Sequence, residues 1–342
     1  MTIQATATAP QAAVPSLPQA RGPLSAAVLV ALSGAGVPDV HLQNADPFGA
    51  DLQLALYSCY ELHYRGFEGV ADEMEWDPLL LTLRRGLEQV FLEALRRAVP
   101  GGADVAAEID PLLVVHVDAV GVSNHLRRRG VLWQLREYVA LRSLYHLKEA
   151  DPQAWVIPRL DGPAKAAFVS VAHDEYGAGR GERMHAALFA DMMRELGLCD
   201  AYGTYLDAAP APVLAEVNLM SMCGLHRHLR GALIGQFAVV ELTSSPGSDR
   251  LVRAAQRLGC GPATTGFYAE HVEADAVHEQ VVRHGILAPL LAQDPSMASA
   301  VVFGMQASNL LDERLTAHVL GAWSAGASAL ARPLPDPLQD GS

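Results

Sequence analysis

Apolar residues recur at intervals of three and four along almost the whole chain, and no stretch alternates with period two for long enough to make a convincing strand. Helices packed on helices are therefore the architecture open to it. The run after Asp77-Pro78 shows the helical period: Leu79-Leu80-Leu81, Leu83, Leu87, Val90-Phe91 and Leu95 follow it, with Asp77 placed to cap and Pro78 in the first turn. Further helices are predicted at about 51–65, 104–125, 130–149, 162–175, 180–197, 211–223, 225–243, 247–259, 263–284 and 295–323, with breaks at Leu160-Asp161-Gly162-Pro163 and Ser245-Pro246-Gly247. Half the residues are hydrophobic and only 6% aromatic, which suits an all-α fold better than a β-sandwich.

A chain of 342 residues is long for one helical core. The proline-containing ends, 1–22 and 331–342, read as a flexible leader and tail; 23–130 read as N-terminal accessory helices and 131–330 as the core. That boundary is soft, because no linker-like run lies between Gly101 and Gly130. A formal charge of −13, with no basic run longer than Arg127-Arg128-Arg129, argues against nucleic acid as a partner. Apolar stretches such as Leu24 to Leu32 are too short to cross a bilayer, and the N-terminus lacks the basic flank of a secretory signal, so the expectation is a cytoplasmic protein with no membrane partner. Cys59, Cys199, Cys223 and Cys260 form no CxxC pair and are expected to be reduced and buried.

Three clusters carry chemistry. In Phe267 to His278, His271 and Asp275 are four apart and Asp275 and His278 three apart, so a helix presents all three on one face. Two imidazoles and a carboxylate suit a borderline divalent ion such as Fe(II), Mn(II) or Zn(II); a solvated polar face is the competing interpretation. Glu182 and His185, three apart, head an otherwise apolar helix, where a carboxylate stabilised by the helix dipole is the plainer alternative. Glu241 follows the nearly uncharged run Leu233 to Val240. Buried, it needs a cation; exposed, it merely ends a helix. Taken together, three carboxylates and three histidines from three helices best fit paired iron, with Glu241 able to bridge two ions and positions left open for O2.

With these motifs the chain resembles the haem-oxygenase-like di-iron oxidases and oxygenases, the iron-containing redox enzymes. Their pattern is a Glu and His on one core helix, a Glu on the second and His-x3-Asp-x2-His on the third, matched in order by Glu182/His185, Glu241 and His271/Asp275/His278. The phrases Tyr60-Glu61-Leu62-His63-Tyr64-Arg65-Gly66-Phe67 and Glu75-Trp76-Asp77-Pro78 also look familial, so the likeness spans about 45–325. It implies a haem-oxygenase-like helical bundle with extra N-terminal helices, two Fe ions cycling between Fe2+ and Fe3+, and O2 as co-substrate.

The N-oxygenating members of that family, including the iron domain of N-nitrosourea biosynthesis, carry a further carboxylate shortly before the Glu-x2-His pair. Glu175 stands there, ten residues ahead of His185, with Gly177, Gly179 and Gly181 between them. The resemblance thus implies an auxiliary metal ligand at Glu175, a small-molecule amine or amino-acid-like substrate, an external electron donor and compatibility with a homodimer. C–C cleavage, desaturation of a fatty or amino acid, and a non-catalytic helical binding protein remain the alternatives; Glu175 is the feature that favours oxygen transfer to nitrogen.

Overall fold

The computed structural model describes residues 14–114 and 119–334 of the chain. Among these it contains helices and no strand. In chain order the α-helices are Pro23–Leu32 (α1), Ala50–Glu61 (α2), Pro78–Ala98 (α3), Val105–Leu112 (α4), Val122–Arg128 (α5), Leu132–His146 (α6), Asp151–Ala154 (α7), Gly162–Glu175 (α8), His185–Glu195 (α9), Ala211–Leu225 (α10), Arg230–Arg257 (α11), Pro262–Gln280 (α12), Ala288–Gln293 (α13) and Ala298–Ser324 (α14). A π-helical stretch, Val281–Leu287, joins α12 to α13. No single helix among the described residues is long and apolar enough to cross a membrane.

Local signals account for several helix starts. Asp77 caps α3 by accepting the N–H groups of Leu79 (3.0 Å) and Leu80 (2.8 Å), and Asp104 caps α4 by accepting that of Ala107 (3.1 Å). Other expectations fail for physical reasons. The helix predicted over 104–125 is two, α4 and α5, the first ending just past its internal Pro111. The break predicted at Ser245-Pro246-Gly247 does not occur: α11 runs through Pro246, because Leu242 and Leu251 on either side are buried and Ser245 donates its hydroxyl to the Val272 carbonyl on α12. The helix predicted from 180 begins at His185.

One hydrophobic core runs from Leu24 to Ala329, so the N-terminal helices share it with the later ones. Residues 14–22, expected to be part of a loose leader, are tied down: Arg21 donates to the carbonyls of Ala209 (2.7 Å) and Leu206 (2.8 Å), and Gln19 N–H to Asp207 (2.9 Å). Ala331 at the other end donates to Ala208 O (2.8 Å). Residues 1–13 and 335–342 of the expected leader and tail lie outside the described residues. Cys59 and Cys223 are buried as expected, but Cys199 is exposed and Cys260 half-buried.

α11 and α14 cross at close backbone approach. A Cβ on Gly235 would fall on the Val301 carbonyl and one on Gly304 on the Ala232 carbonyl, so glycine is what lets these backbones meet. Gly235→Ala is therefore expected to destabilise the chain by about 3 kcal/mol through overpacking. Gly321→Ala on α14, where nothing lies within 4 Å of the added carbon, is expected to change stability by less than about 1 kcal/mol, and in the stabilising direction. Urea unfolding midpoints compare the two, and equal shifts would refute the close-crossing account.

Candidate metal centre

Glu149 lies in the turn that ends α6, followed by Ala150 in the left-handed region (φ 69°). That turn is pinned from the N-terminal helices. Lys148 makes a 2.9 Å ion pair with Glu61 of α2, both almost wholly buried, and Arg65 donates to the Leu147 carbonyl (3.0 Å). Glu175 is the last residue of α8. Beyond it Gly177, Ala178 and Gly179 all have positive φ, and a Cβ on Gly177 would strike the backbone of Arg183 and Met184; the chain doubles back there and delivers His185 as the first residue of α9. Glu241 comes from α11, and His271, Asp275 and His278 from one face of α12. None of these seven residues is more than 8% exposed.

They converge as two groups. Glu149, His185 and His271 form one; Glu175, Glu241, Asp275 and His278 form the other, and within each group one ligand atom per residue lies within 4.8 Å of the rest. Glu175 lies between the groups, with Oε2 2.9 Å from His185 Nδ1 and Oε1 3.6 Å from His278 Nδ1. The imidazole rings of His185 and His271 are 4.3 Å apart between centroids. His271 donates from Nδ1 to the Phe267 carbonyl (2.8 Å), which turns Nε2 towards Glu149 Oε1, 3.7 Å away. His278 directs Nδ1 at Glu241 (3.1 Å) and Asp275 (3.5 Å), and its Nε2 meets Asp174 at 3.3 Å.

Whether these residues fit metal is answered by their unsatisfied atoms. Glu149 Oε2, His185 Nδ1, His271 Nε2 and Asp275 Oδ2 are buried without a hydrogen bond, although His185 and His271 have carboxylates nearby. Each such atom is destabilising by about 1–3 kcal/mol unless a partner is supplied. Cations at the two groups would satisfy all four, and a set of imidazole nitrogens and carboxylate oxygens suits iron. Four carboxylates would balance two divalent ions.

More than half of the chain, residues 136–313, matches the family described as iron-containing redox enzymes. The chain belongs to that family. All seven residues lie inside the matched stretch. This iron-containing redox enzyme is also similar to the nitrosourea synthase of Streptomyces achromogenes subsp. streptozoticus, 24% identical over 168 residues; the aligned part is 49% of this chain and 36% of that protein. The chain thus spans about a third of the length of that curated relative.

Six of the seven residues singled out from the sequence meet in these groups: Glu175, His185, Glu241, His271, Asp275 and His278. Glu182 does not. It is exposed on the 3₁₀ turn Gly181–Arg183 before α9, because a spacing of three shares a face only when both residues are helical. Glu149 stands in the place expected of it. The missed signal was His146-x2-Glu149 at the end of an apolar helix, the same three-residue spacing as Glu182 and His185. His146 stacks on Phe189 and its Nδ1 lies 2.8 Å from Glu149 Oε1.

Protons occupy the centre of this iron-containing redox enzyme when cations do not. Burial opposes charge on His271, but Glu149 and Asp275 outweigh it and hold the imidazolium up to about 10. Burial likewise opposes charge on His278, yet Asp275 and Glu241 raise it to about 11. Burial pushes Glu241 up to about 8, His278 opposing and Glu175 and Asp275 adding repulsion. At neutral pH the metal-free groups therefore carry protons that a metal must displace. Apparent Fe(II) affinity is expected to rise with pH between 6 and 8, about tenfold per unit for each proton released. Proton release on Fe(II) addition to a weakly buffered anaerobic sample measures that number, and a pH-independent affinity would overturn the assignment.

A cavity of about 450 Å³ opens on the centre, touching Glu149, Glu175, Glu241, His271 and Asp275. Phe189 and Phe267, whose rings pack on His146 and His271, give it apolar walls at that end.

Proposed function

We propose that this iron-containing redox enzyme holds two iron ions, reacts with O2 and transfers oxygen to an amine nitrogen of a small molecule, with electrons from an external donor. The observation that carries this reading is the pairing of two buried nitrogen-and-oxygen ligand groups with Glu175 between them. Glu149, His185 and His271 would hold one ion, Glu241, Asp275 and His278 the other, and Glu175 is placed to serve either. Bound there, iron would supply electrons and open coordination positions for O2.

The chain's own residues do the rest. The Phe267 carbonyl fixes the tautomer of His271, Asp174 orients His278, and His146 holds Glu149 against its neighbours. Phe189 and Phe267 keep bulk water from the cavity's inner end, which strengthens electrostatic interactions there. The name of the relative also supports nitrogen as the site of attack, since a nitrosourea contains oxidised nitrogen.

The test is anaerobic loading of the full chain with Fe(II), an iron count, and O2 uptake with a panel of small amines followed by product mass. Two iron ions per chain, uptake accelerated by one class of amine, and oxygen added at its nitrogen are the expected results. Iron far below that count, or products lacking carbon or hydrogen without new oxygen on nitrogen, would sink it.

A further inference from the structure

The far wall of the cavity is not apolar. Arg142 on α6, four residues and so roughly 6 Å along the helix before its last residue His146, makes a 2.8 Å ion pair with Glu216 on α10, and both face the cavity with Asp312 of α14. Asp312 is exposed where it lines the cavity, and desolvation raises its carboxyl with Arg142 opposing the rise. Burial pushes Glu216 up to about 7, with Arg142 opposing and Asp312 adding repulsion. Arg142 thus pairs directly with Glu216, while Asp312 stands near enough to feel both charges. Arg250, also on the wall, is engaged by the Ser123 hydroxyl (2.9 Å).

A second observation comes from α11. Gln236 is 1% exposed, lines the same cavity, and neither its amide nitrogen nor its amide oxygen has a hydrogen-bond partner. A buried amide left in this state is destabilising unless something that enters the cavity satisfies it. Gln236 precedes Glu241 by five residues, roughly 7–8 Å along the helix, about the span of a short aliphatic chain.

We propose that this far wall seats a cationic head group of the substrate, an ammonium or guanidinium held by Asp312 and Glu216 with the Gln236 amide oxygen as a further acceptor. The substrate then carries a positive charge at the end away from the nitrogen presented to iron, an inference that rests on the amine-oxidising reading. An anionic head would face Asp312 and compete with Glu216 for Arg142. An apolar head would leave the buried Gln236 amide unsatisfied.

The experiment titrates the full chain, loaded with Fe(II) under argon, with 1,6-diaminohexane, hexylamine and hexanoate by calorimetry, with iron counted on the same sample. The diamine is expected to bind at least about tenfold more tightly than hexylamine, the size of one charge-assisted hydrogen bond. Asp312→Asn, and separately Glu216→Gln, are expected to erase most of that preference with iron content unchanged. Equal binding of diamine and hexylamine, tightest binding of hexanoate, no binding of the diamine, or a preference that survives both substitutions overturns the proposal. A low iron count with the charge preference intact would instead strike at the metal reading alone.

Discussion

If the two groups hold two iron ions as proposed, Glu149→Gln is expected to remove one of them and to lower oxidation of any substrate by at least about a hundredfold, because even residues that only orient metal ligands contribute 10–100-fold to affinity or activity. The amide is nearly isosteric but carries no charge to offset an ion shared with two neutral imidazoles, His185 and His271. The paired control is Glu182→Gln, which changes an exposed side chain outside both groups and should leave iron content and rate at wild-type values. Helicity should be the same in both variants. Iron counts and O2 uptake decide the matter, and a result with the roles reversed would falsify the placement of the first group.

Glu175→Ala is expected to separate iron binding from chemistry. Six other residues remain to hold metal, so at least half of the iron should stay. Oxygen transfer to nitrogen should nevertheless fall by about a hundredfold or more, since the carboxylate that lies between the groups is gone. Continued O2 uptake without oxidised amine is the signature to look for. A variant that oxidises its amine at the wild-type rate would reduce Glu175 to the end of α8 and remove the main support for nitrogen as the target.

The sequence disclosed the parts of the centre that lie within single helices. His271, Asp275 and His278 were legible because α12 is continuous across them, so spacing in sequence is spacing on a face. Glu241 was legible as a charge after a long apolar run of α11, whose burial would demand a cation. Glu149 was not, since it sits past the end of α6 and reaches the site through a turn held by Lys148, Glu61 and Arg65, contacts that join residues far apart in the chain. The same long-range packing explains why Pro246 failed to break α11 and why α1 to α3 share one hydrophobic core with the later helices. Periodicity reports what a helix offers to its neighbours. It is silent about which loop will be pressed against it.

The scattering of the ligands over five elements has a consequence for how the protein matures. Only α12 brings three of them together locally; the others arrive on the turn after α6, on α8, on α9 and on α11. An ion cannot gather such a set early, as it can in a short metal-nucleated domain, so the polypeptide must reach its tertiary structure before it can be loaded. The protonated histidines make that order workable, because they offset the crowded carboxylates in the meantime.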